Sequence, residues 1–134
     1  MKTVLITGVS GFIGPHVVEA CLKHDFRVIG LDIRPYPQSN CDIALPDEFL
    51  AGDVRDLSPS ELDDIAYIIH LAFVTNIPYS IQNSISTTRD NIEMTARLLK
   101  KATEAKIKKL VFSSTASLYG HNPTPWREDM PSDP

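Results

Sequence analysis

The chain has 134 residues, 43% of them hydrophobic and 22% charged, which suits one domain that buries a core of its own. Its formal net charge of -4 disfavours nucleic acids and anionic membrane surfaces as partners, and no apolar run approaches the length of a membrane span. Because there is no signal-peptide core, and Cys21 and Cys41 lack metal-ligand spacing with the four histidines, we expect a cytoplasmic protein with free thiols and no metal site.

A glycine-rich turn follows the first predicted strand. Residues 4–6 (VLI) form an apolar run typical of a strand buried on both faces of a parallel sheet. We expect Gly8 to allow a tight turn, Gly11 to let the backbone approach a pyrophosphate, and Gly14 to let helix and strand pack closely. Phosphates would lie at the helix N-terminus, where free N–H groups and the helix dipole favour an anion. An ordinary strand-to-helix turn is the alternative, but strand, glycines and helix follow the order that a dinucleotide site requires.

An acidic residue ends the second predicted strand. Apolar spacing predicts a helix over residues 12–24, and residues 26–31 (FRVIGL) then form a buried strand that ends at Asp32. A carboxylate about twenty residues after the glycines can accept hydrogen bonds from both hydroxyls of an adenosine ribose. It would also repel a 2′-phosphate, so Asp32 favours NAD over NADP. Two alternatives stay open: Arg34 could meet a phosphate, or Asp32 could only form a turn at the strand end.

The next segment carries weaker signals. Residues 34–47 predict a loop, residues 49–51 a short strand, and residues 58–61 the start of a short helix with a serine cap. Between the strand and that helix, Asp53 and Val54 could hold the amino group of adenine and cover its ring. A solvated turn explains these two residues as well.

A fourth strand is predicted over residues 65–72 (IAYIIHLA). We expect His70 within it to be buried and hydrogen-bonded rather than catalytic. Residues 73–84 follow the carboxyl end of this strand. In an open parallel sheet such segments form the ligand crevice, so this one is a candidate wall for cofactor and substrate.

A long helix is predicted over residues 84–105, with Ile85, Ile92 and Leu99 on one face. Lysines cluster at its C-terminal end and beyond, where the helix dipole favours cations. We expect this cluster to be solvated rather than to bind nucleic acid. Its members are Lys100, Lys101, Lys106, Lys108 and Lys109.

Hydroxyl side chains extend the fifth predicted strand, which begins at residues 110–112 and continues through residues 113–120. Side chains alternate along a strand, so Ser113 and Thr115 should share one face and line the crevice. Residues 121–134 hold four prolines and predict a surface loop, with Trp126 as an anchor.

Taken together, these motifs resemble the extended short-chain dehydrogenases/reductases, and among them the NAD-dependent nucleotide-sugar epimerases and dehydratases. The residues that carry the likeness are TGVSGFIG at positions 7–14 and VFSSTASLYG at positions 111–120, and the likeness covers essentially the whole chain. It implies an α/β fold, a Rossmann-type doubly wound parallel sheet represented by its first five strands and without the later strands or the substrate domain. It also implies NAD as cofactor and a nucleotide-sugar as substrate.

The resemblance implies a set of cofactor-binding residues. The glycine loop would hold the pyrophosphate, residues 32–34 the adenosine ribose, and residues 53–54 the adenine. Residues 71–75 and the pair at 90–91 would lie near the cofactor, although Asp90 stands where the family usually has asparagine or threonine. The full set is Gly8, Ser10, Gly11, Phe12, Ile13, Gly14, Asp32, Ile33, Arg34, Asp53, Val54, Leu71, Ala72, Phe73, Thr75, Asp90, Asn91 and Ser113.

The catalytic machinery implied by the resemblance is incomplete in this sequence. Thr115 stands at the position of the family's substrate-binding hydroxyl, which works with a Tyr-x-x-x-Lys motif. The chain's four tyrosines have no lysine four residues on, and the motif would fall just beyond Pro134. Residues 1–134 are therefore expected to be an incomplete NAD(P)-binding domain of such an enzyme, and the alternative is a noncatalytic module that senses NAD or mediates an interaction. Family dimers commonly use the helix predicted at residues 84–105, which suggests a homodimer.

Overall fold

The computed structural model describes residues 1–37 and 43–134. Cys41 and part of the loop predicted for residues 34–47 lie outside the described residues, and Cys21 is a free thiol. The strands of the described part are β1 (Lys2–Thr7), β2 (Phe26–Asp32), β3 (Glu48–Ala51), β4 (Ile65–His70) and β5 (Lys109–Phe112). They form one parallel sheet in the order β3-β2-β1-β4-β5. The strand order runs outward from β1 in both directions, so the predicted doubly wound α/β fold is confirmed.

The helices and turns complete the described part of the chain. A predicted helix start is confirmed at Ser58, whose backbone N–H and hydroxyl both donate to the carboxylate of Glu61, at 2.6 and 2.7 Å. The helices are α1 (Gly14–Lys23), α2 (Ile77–Gln82) and α3 (Ser84–Glu104), and 3₁₀ turns lie at Val54–Asp56, Pro59–Leu62 and Ala116–Tyr119.

Side chains of β1 alternate between two hydrophobic cores. Val4 and Ile6 belong to the core that Val18 of α1 completes. Leu5 belongs to the core that Leu98 and Ala102 of α3 complete. Helices α1 and α3 therefore cover opposite faces of the sheet, and β1 is buried on both, as its unbroken apolar run predicts.

Helix α2 falls inside the segment predicted as irregular crevice wall. Its cap is Asn76, whose side-chain oxygen accepts the backbone N–H of Tyr79 at 2.9 Å. Six residues are too few for a helical period to stand out in the sequence. The prediction missed this helix for that reason.

The long helix predicted over residues 84–105 is confirmed as α3, but the three large apolar side chains predicted on one of its faces are largely exposed. Ile85, Ile92 and Leu99 are 85%, 64% and 47% exposed. The helix carries more than one apolar stripe, and periodicity alone does not tell which stripe meets the sheet. The residues that α3 buries are Thr87, Leu98 and Ala102.

Lys101 is also placed differently from the prediction of a wholly solvated lysine cluster. Its ammonium group donates to the backbone carbonyls of Arg55, at 2.7 Å, and Leu57, at 2.5 Å. These carbonyls lie more than forty positions away in the chain. Lys101 thus ties α3 to the first 3₁₀ turn, a contact that the local sequence could not reveal.

Strand β5 is shorter than predicted, because it ends at Phe112. The hydroxyl residues 113–115 lie past the end of the strand. Thr115 caps the following 3₁₀ turn, and its Oγ1 accepts the backbone N–H of Ser117 at 3.2 Å. Trp126 anchors the C-terminal segment by stacking on Tyr119, with ring centroids 5.6 Å apart. Across the described residues, no helix has both the length and the apolarity to span a membrane.

Candidate functional site

A crevice of about 1050 Å³ lies at the carboxyl ends of the strands. It includes the loops after β1 and β4, the point where the strand order reverses and where open parallel sheets bind ligands. Its volume lies at the upper end of the range for small-molecule sites. Its lining contains every residue that the sequence assigns to cofactor binding or catalysis: Gly8, Ser10, Gly11, Phe12, Ile13, Gly14, Asp32, Ile33, Arg34, Asp53, Val54, Leu71, Ala72, Phe73, Thr75, Asp90, Asn91, Ser113 and Thr115.

Two of the three glycines are required by the backbone itself. Gly8 has φ +71°, and a Cβ there would lie 2.6 Å from backbone atoms of Leu71 and Ala72. A Cβ on Gly14 would lie 1.9 Å from the carbonyl oxygen of Val9. Gly8 therefore makes the tight turn, and Gly14 lets α1 approach the loop after β1, as predicted.

The third glycine stands beside an open helix N-terminus. A Cβ on Gly11 would meet the carbonyl oxygen of Gly8 at 3.1 Å and an Arg34 nitrogen at 3.8 Å, with no other atom within 4 Å. In the described residues, the amides of Phe12 and Ile13 donate to no protein acceptor, and no side chain caps α1. Two free N–H groups at the positive end of a helix dipole suit an anionic group, so this part of the crevice fits a pyrophosphate.

Asp32 presents a fixed carboxylate at the end of β2. The side chain is 5% exposed, its Oδ2 accepts the N–H of Ser10 at 3.0 Å, and its Oδ1 accepts the N–H of Arg34 at 2.9 Å. The Ser10 hydroxyl donates to the Arg34 carbonyl at 3.1 Å, which joins the two loops. A carboxylate accepts about four hydrogen bonds, so each oxygen keeps one position for a ligand hydroxyl.

The side chain of Arg34 borders the same region. Its Nε lies 3.6 Å from Oδ1 of Asp32, and the side chain is 64% exposed. Its guanidinium stands beside the glycine loop, since Nη2 is 3.8 Å from the Cβ position of Gly11. This cation is therefore within the crevice and near both the carboxylate and the open helix N-terminus.

A network of charged groups follows β3, next to Asp32, whose backbone carbonyl accepts the N–H of Gly52 at 3.0 Å. Asp53 caps the first 3₁₀ turn and binds the guanidinium of Arg55, which also donates to Asp90 Oδ1 at 3.2 Å. Hydrogen bonding from Arg55 lowers the pKa of the Asp53 carboxyl below its ordinary value. The sequence assigned roles to Asp53 and Asp90 but not to Arg55. The position of Arg55 two residues after Asp53 was a signal that its side chain could contact that carboxylate.

His70 is a structural residue at the end of β4, beside β1. It is fully buried, its Nδ1 lies 2.6 Å from the Thr7 hydroxyl, and its Nε2 lies 3.2 Å from the Thr95 hydroxyl. Thr95 donates its own proton to the carbonyl of Asn91, so Nε2 of His70 carries the ring proton and Nδ1 accepts from Thr7. Burial lowers the pKa of His70 to about 4, which keeps the ring neutral. The expectation of a buried, hydrogen-bonded histidine is confirmed.

Asn91 uses its side chain to hold the crevice wall. Its Oδ1 accepts the backbone N–H of Val74 at 2.8 Å, and its Nδ2 donates to the carbonyl of the same residue at 3.2 Å. The segment around Val74 is thus fixed to α3. The groups of Asn91 that the resemblance directs at a cofactor are therefore already engaged with the protein.

The hydroxyl residues after β5 line the crevice next to β4. The backbone N–H of Ser113 donates to the carbonyl of His70 at 3.3 Å. Thr115 is exposed, and its hydroxyl donates to Oγ of Ser117 at 3.2 Å. Among the residues described, no group of three or more histidine, cysteine, aspartate or glutamate side chains is arranged to hold a metal ion.

Comparison with known proteins places the chain in a family. The family model described as NAD dependent epimerase/dehydratase matches residues 4–134. The UDP-glucose 4-epimerase of Neisseria meningitidis serogroup A is 30% identical over 145 residues, which cover 98% of this chain and 42% of that protein.

Solved structures show the same relation. An NAD-dependent NDP-hexosamine 5,6-dehydratase of tunicamycin biosynthesis superposes with a TM-score of 0.82 at 31% identity, over 99% of this chain and 44% of that one. The UDP-glucose 4-epimerase of Bifidobacterium longum, solved with NAD+ and UDP, gives a TM-score of 0.81 at 29% identity, over 98% and 43%. The chain thus spans less than half the length of these relatives. With a family match over nearly all of its length, the chain belongs to the NAD dependent epimerase/dehydratase family.

Proposed function

We propose that the chain binds NAD in this crevice and is the cofactor-binding portion of a nucleotide-sugar epimerase or dehydratase. One observation carries the proposal: the open N-terminus of α1, at Phe12 and Ile13, lies beside the fixed carboxylate of Asp32. The pyrophosphate and the ribose of one dinucleotide need these two features side by side. The family match and the NAD+ bound in the Bifidobacterium longum epimerase support this assignment.

Each part of the adenosine diphosphate half of the cofactor has a place in the proposal. The amides of Phe12 and Ile13 hold the pyrophosphate, and the free acceptor positions of Asp32 receive the ribose hydroxyls. Asp53 and Val54 hold the adenine. Residues 71–75 form the wall along the cofactor, kept in place by Asn91.

The reaction assigned to the complete enzyme is hydride transfer at a sugar carbon. The chemistry that bound NAD supplies is acceptance of that hydride. Thr115 would hydrogen-bond the substrate oxygen, but an aliphatic hydroxyl is a poor base near neutral pH. A positioned general base contributes about 10²–10⁴-fold, and no Tyr-x-x-x-Lys motif occurs in residues 1–134. In this proposal the chain binds NAD but does not complete the reaction alone.

A paired assay tests whether the chain binds NAD but needs further residues for turnover. The 134-residue chain and a version extended along its parent gene are incubated with NAD and with UDP-, GDP- and dTDP-sugars. We expect NAD binding by both proteins and turnover only by the extended one. Comparable turnover by the 134-residue chain would contradict the proposal, and a parent gene that encodes no Tyr-x-x-x-Lys would favour a noncatalytic NAD-binding module.

The exposed face of α3 is assigned to a second copy of the chain. Ile85, Ile92 and Leu99 recur every seven residues, and Ile77 and Ile81 of α2 are also exposed. Apolar stripes of this kind mark interaction surfaces, and a seven-residue repeat suits helix against helix. Sedimentation equilibrium should show a dimer that the pair I85D and I92D dissociates, while L45D, at an exposed leucine outside α3, does not. A monomeric wild type would contradict this assignment.

A further inference from the structure

The loop at the adenine end is held by a side chain that the sequence did not single out. Oδ1 of Asp53 accepts the backbone N–H of Arg55 at 2.8 Å and its Nε at 3.0 Å, and Oδ2 accepts Nη2 at 2.7 Å. The other edge of the guanidinium donates through Nη1 to Asp90 of α3. Lys101 binds the carbonyl of Arg55 from the same helix. Asp90 and Lys101 of α3 therefore fix Arg55 in place while its guanidinium binds Asp53.

This arrangement leaves Asp53 with one free acceptor. A carboxylate offers about four acceptor positions, two on each oxygen. Arg55 fills both positions of Oδ1 and one position of Oδ2. The side chain of Asp53 is 23% exposed and lines the crevice, so a ligand bound there can reach this carboxylate. A single acceptor in a fixed orientation favours a hydrogen-bond donor and disfavours an acceptor.

We propose that Arg55 is a positioning residue that orients Asp53 and so makes the crevice selective for adenine over a purine with oxygen in place of the 6-amino group. The inference rests on the proposed NAD site. Without Arg55, the Asp53 side chain could change rotamer, and ordering it on binding would cost entropy. The carboxylate would also lose the partner that directs its free lone pair.

The test compares two dinucleotides that differ at one edge of the purine ring. Nicotinamide hypoxanthine dinucleotide carries oxygen where NAD carries the 6-amino group, and its N1 carries a proton, so the ratio of the two affinities reports how this edge of the purine meets Asp53. Calorimetric titrations use the wild type, R55M, R55K and the control R27M. Arg27 forms a comparable pair with Glu48 at 2.8 Å, away from the crevice lining.

We expect the wild type to bind NAD at least tenfold more tightly than the hypoxanthine analogue, about the lower limit for a hydrogen bond to a charged group. R55M should reduce that ratio below about threefold by weakening NAD binding alone. R55K, which keeps the charge without the fork of donors, should give an intermediate ratio. R27M should keep the wild-type ratio.

Specific results would overturn the inference. A folded R55M protein, judged by circular dichroism, that keeps the wild-type ratio would do so, as would a wild type with equal affinity for both dinucleotides. If R55M does not fold, the ratio of NAD affinity to analogue affinity in R55K tests the inference. A wild-type ratio in R55K would overturn it as well. A wild type that binds neither dinucleotide would instead overturn the NAD proposal itself.

Discussion

The two neighbouring acidic residues of the crevice, Asp32 after β2 and Asp53 after β3, are held in different ways. Asp32 is buried and is bound by the backbone amides of Ser10 and Arg34. Asp53 is partly exposed and is bound mainly by the side chain of Arg55. A carboxylate held by backbone amides is fixed by the fold, whereas one held by a side chain is only as fixed as that side chain. The position of Asp32, assigned to the ribose, should therefore resist substitution of neighbouring side chains, and the position of Asp53, assigned to the adenine, should depend on Arg55.

The largest effect should come from blocking the pyrophosphate, which adjoins the ribose on the side away from the adenine. G11V should weaken NAD binding at least about a hundredfold, because a branched side chain would occupy the place of the pyrophosphate. The fold should survive, since a Cβ at Gly11 meets no protein atom closer than 3.1 Å. G14V is the matched contrast, because its Cβ would lie 1.9 Å from the Val9 carbonyl oxygen. Calorimetric titration with NAD and thermal unfolding distinguish a loss of binding in G11V from a loss of stability in G14V. A folded G11V protein with wild-type affinity for NAD would mean that the glycines form only an ordinary strand-to-helix turn.

Replacing each of the two acidic residues by alanine separates their roles. We expect the wild type to prefer NAD over NADP by a few kcal/mol, with about 1.5–3 kcal/mol for each charge-assisted ribose hydrogen bond as an upper guide. D32A should lose both NAD affinity and most of that preference. D53A should weaken NAD and NADP equally, because the 2′-phosphate lies on the ribose.

Titrations of both cofactors into the wild type, D32A and D53A check this expectation, with circular dichroism as the control for folding. Equal affinities in the wild type, or a preference for NADP, would mean that Arg34 rather than Asp32 sets the choice. A changed cofactor preference in D53A would mean that the two carboxylates do not act separately.

A smaller effect should follow from pH, acting on the buried residue that joins β1 and β4 to α3. His70 links Thr7 of β1 to Thr95 of α3, and burial lowers its pKa from 6.5 to about 4. Above pH 6.5 the ring is neutral in both the folded and the unfolded chain. Below pH 6.5 only the unfolded chain takes up the proton, so the free energy of unfolding should fall by about 2 kcal/mol by pH 5.

Urea unfolding at pH 7 and pH 5 measures this loss. H70Q should be less stable at pH 7, because it disturbs both hydroxyl contacts, but should lose less on acidification. The Asp53 carboxyl does not obscure the result, since its lowered pKa moves its loss of stability to a lower pH window. A wild type equally stable at both pH values would show that His70 is not held neutral by burial.

The sequence predicted the features whose signals are local. The run at residues 4–6, the glycines and the strand ending at Asp32 each have a pattern within a few residues, and the structure contains these elements at those positions. It did not predict which stripe of α3 meets the sheet, because several stripes are apolar. The contacts of Arg55 with Asp90 and of Lys101 with the Arg55 carbonyl join residues 35 and 46 positions apart. No spacing in the sequence records such contacts, since tertiary packing creates them.

The most direct test of the NAD site is an amide nuclear magnetic resonance titration of the 134-residue chain. Phe12 and Ile13 have amides without a protein acceptor among the described residues, and the proposal gives them the pyrophosphate. Addition of NAD should shift these two amide protons downfield more than others, with a second group of shifts at Asp53 and Val54. Adenosine, which lacks the pyrophosphate, should shift the second group and the Ser10 and Arg34 amides that bind Asp32, but not the amides of Phe12 and Ile13. Shifts confined to other parts of the chain, or no shifts at saturating NAD, would contradict the assignment of this crevice to NAD.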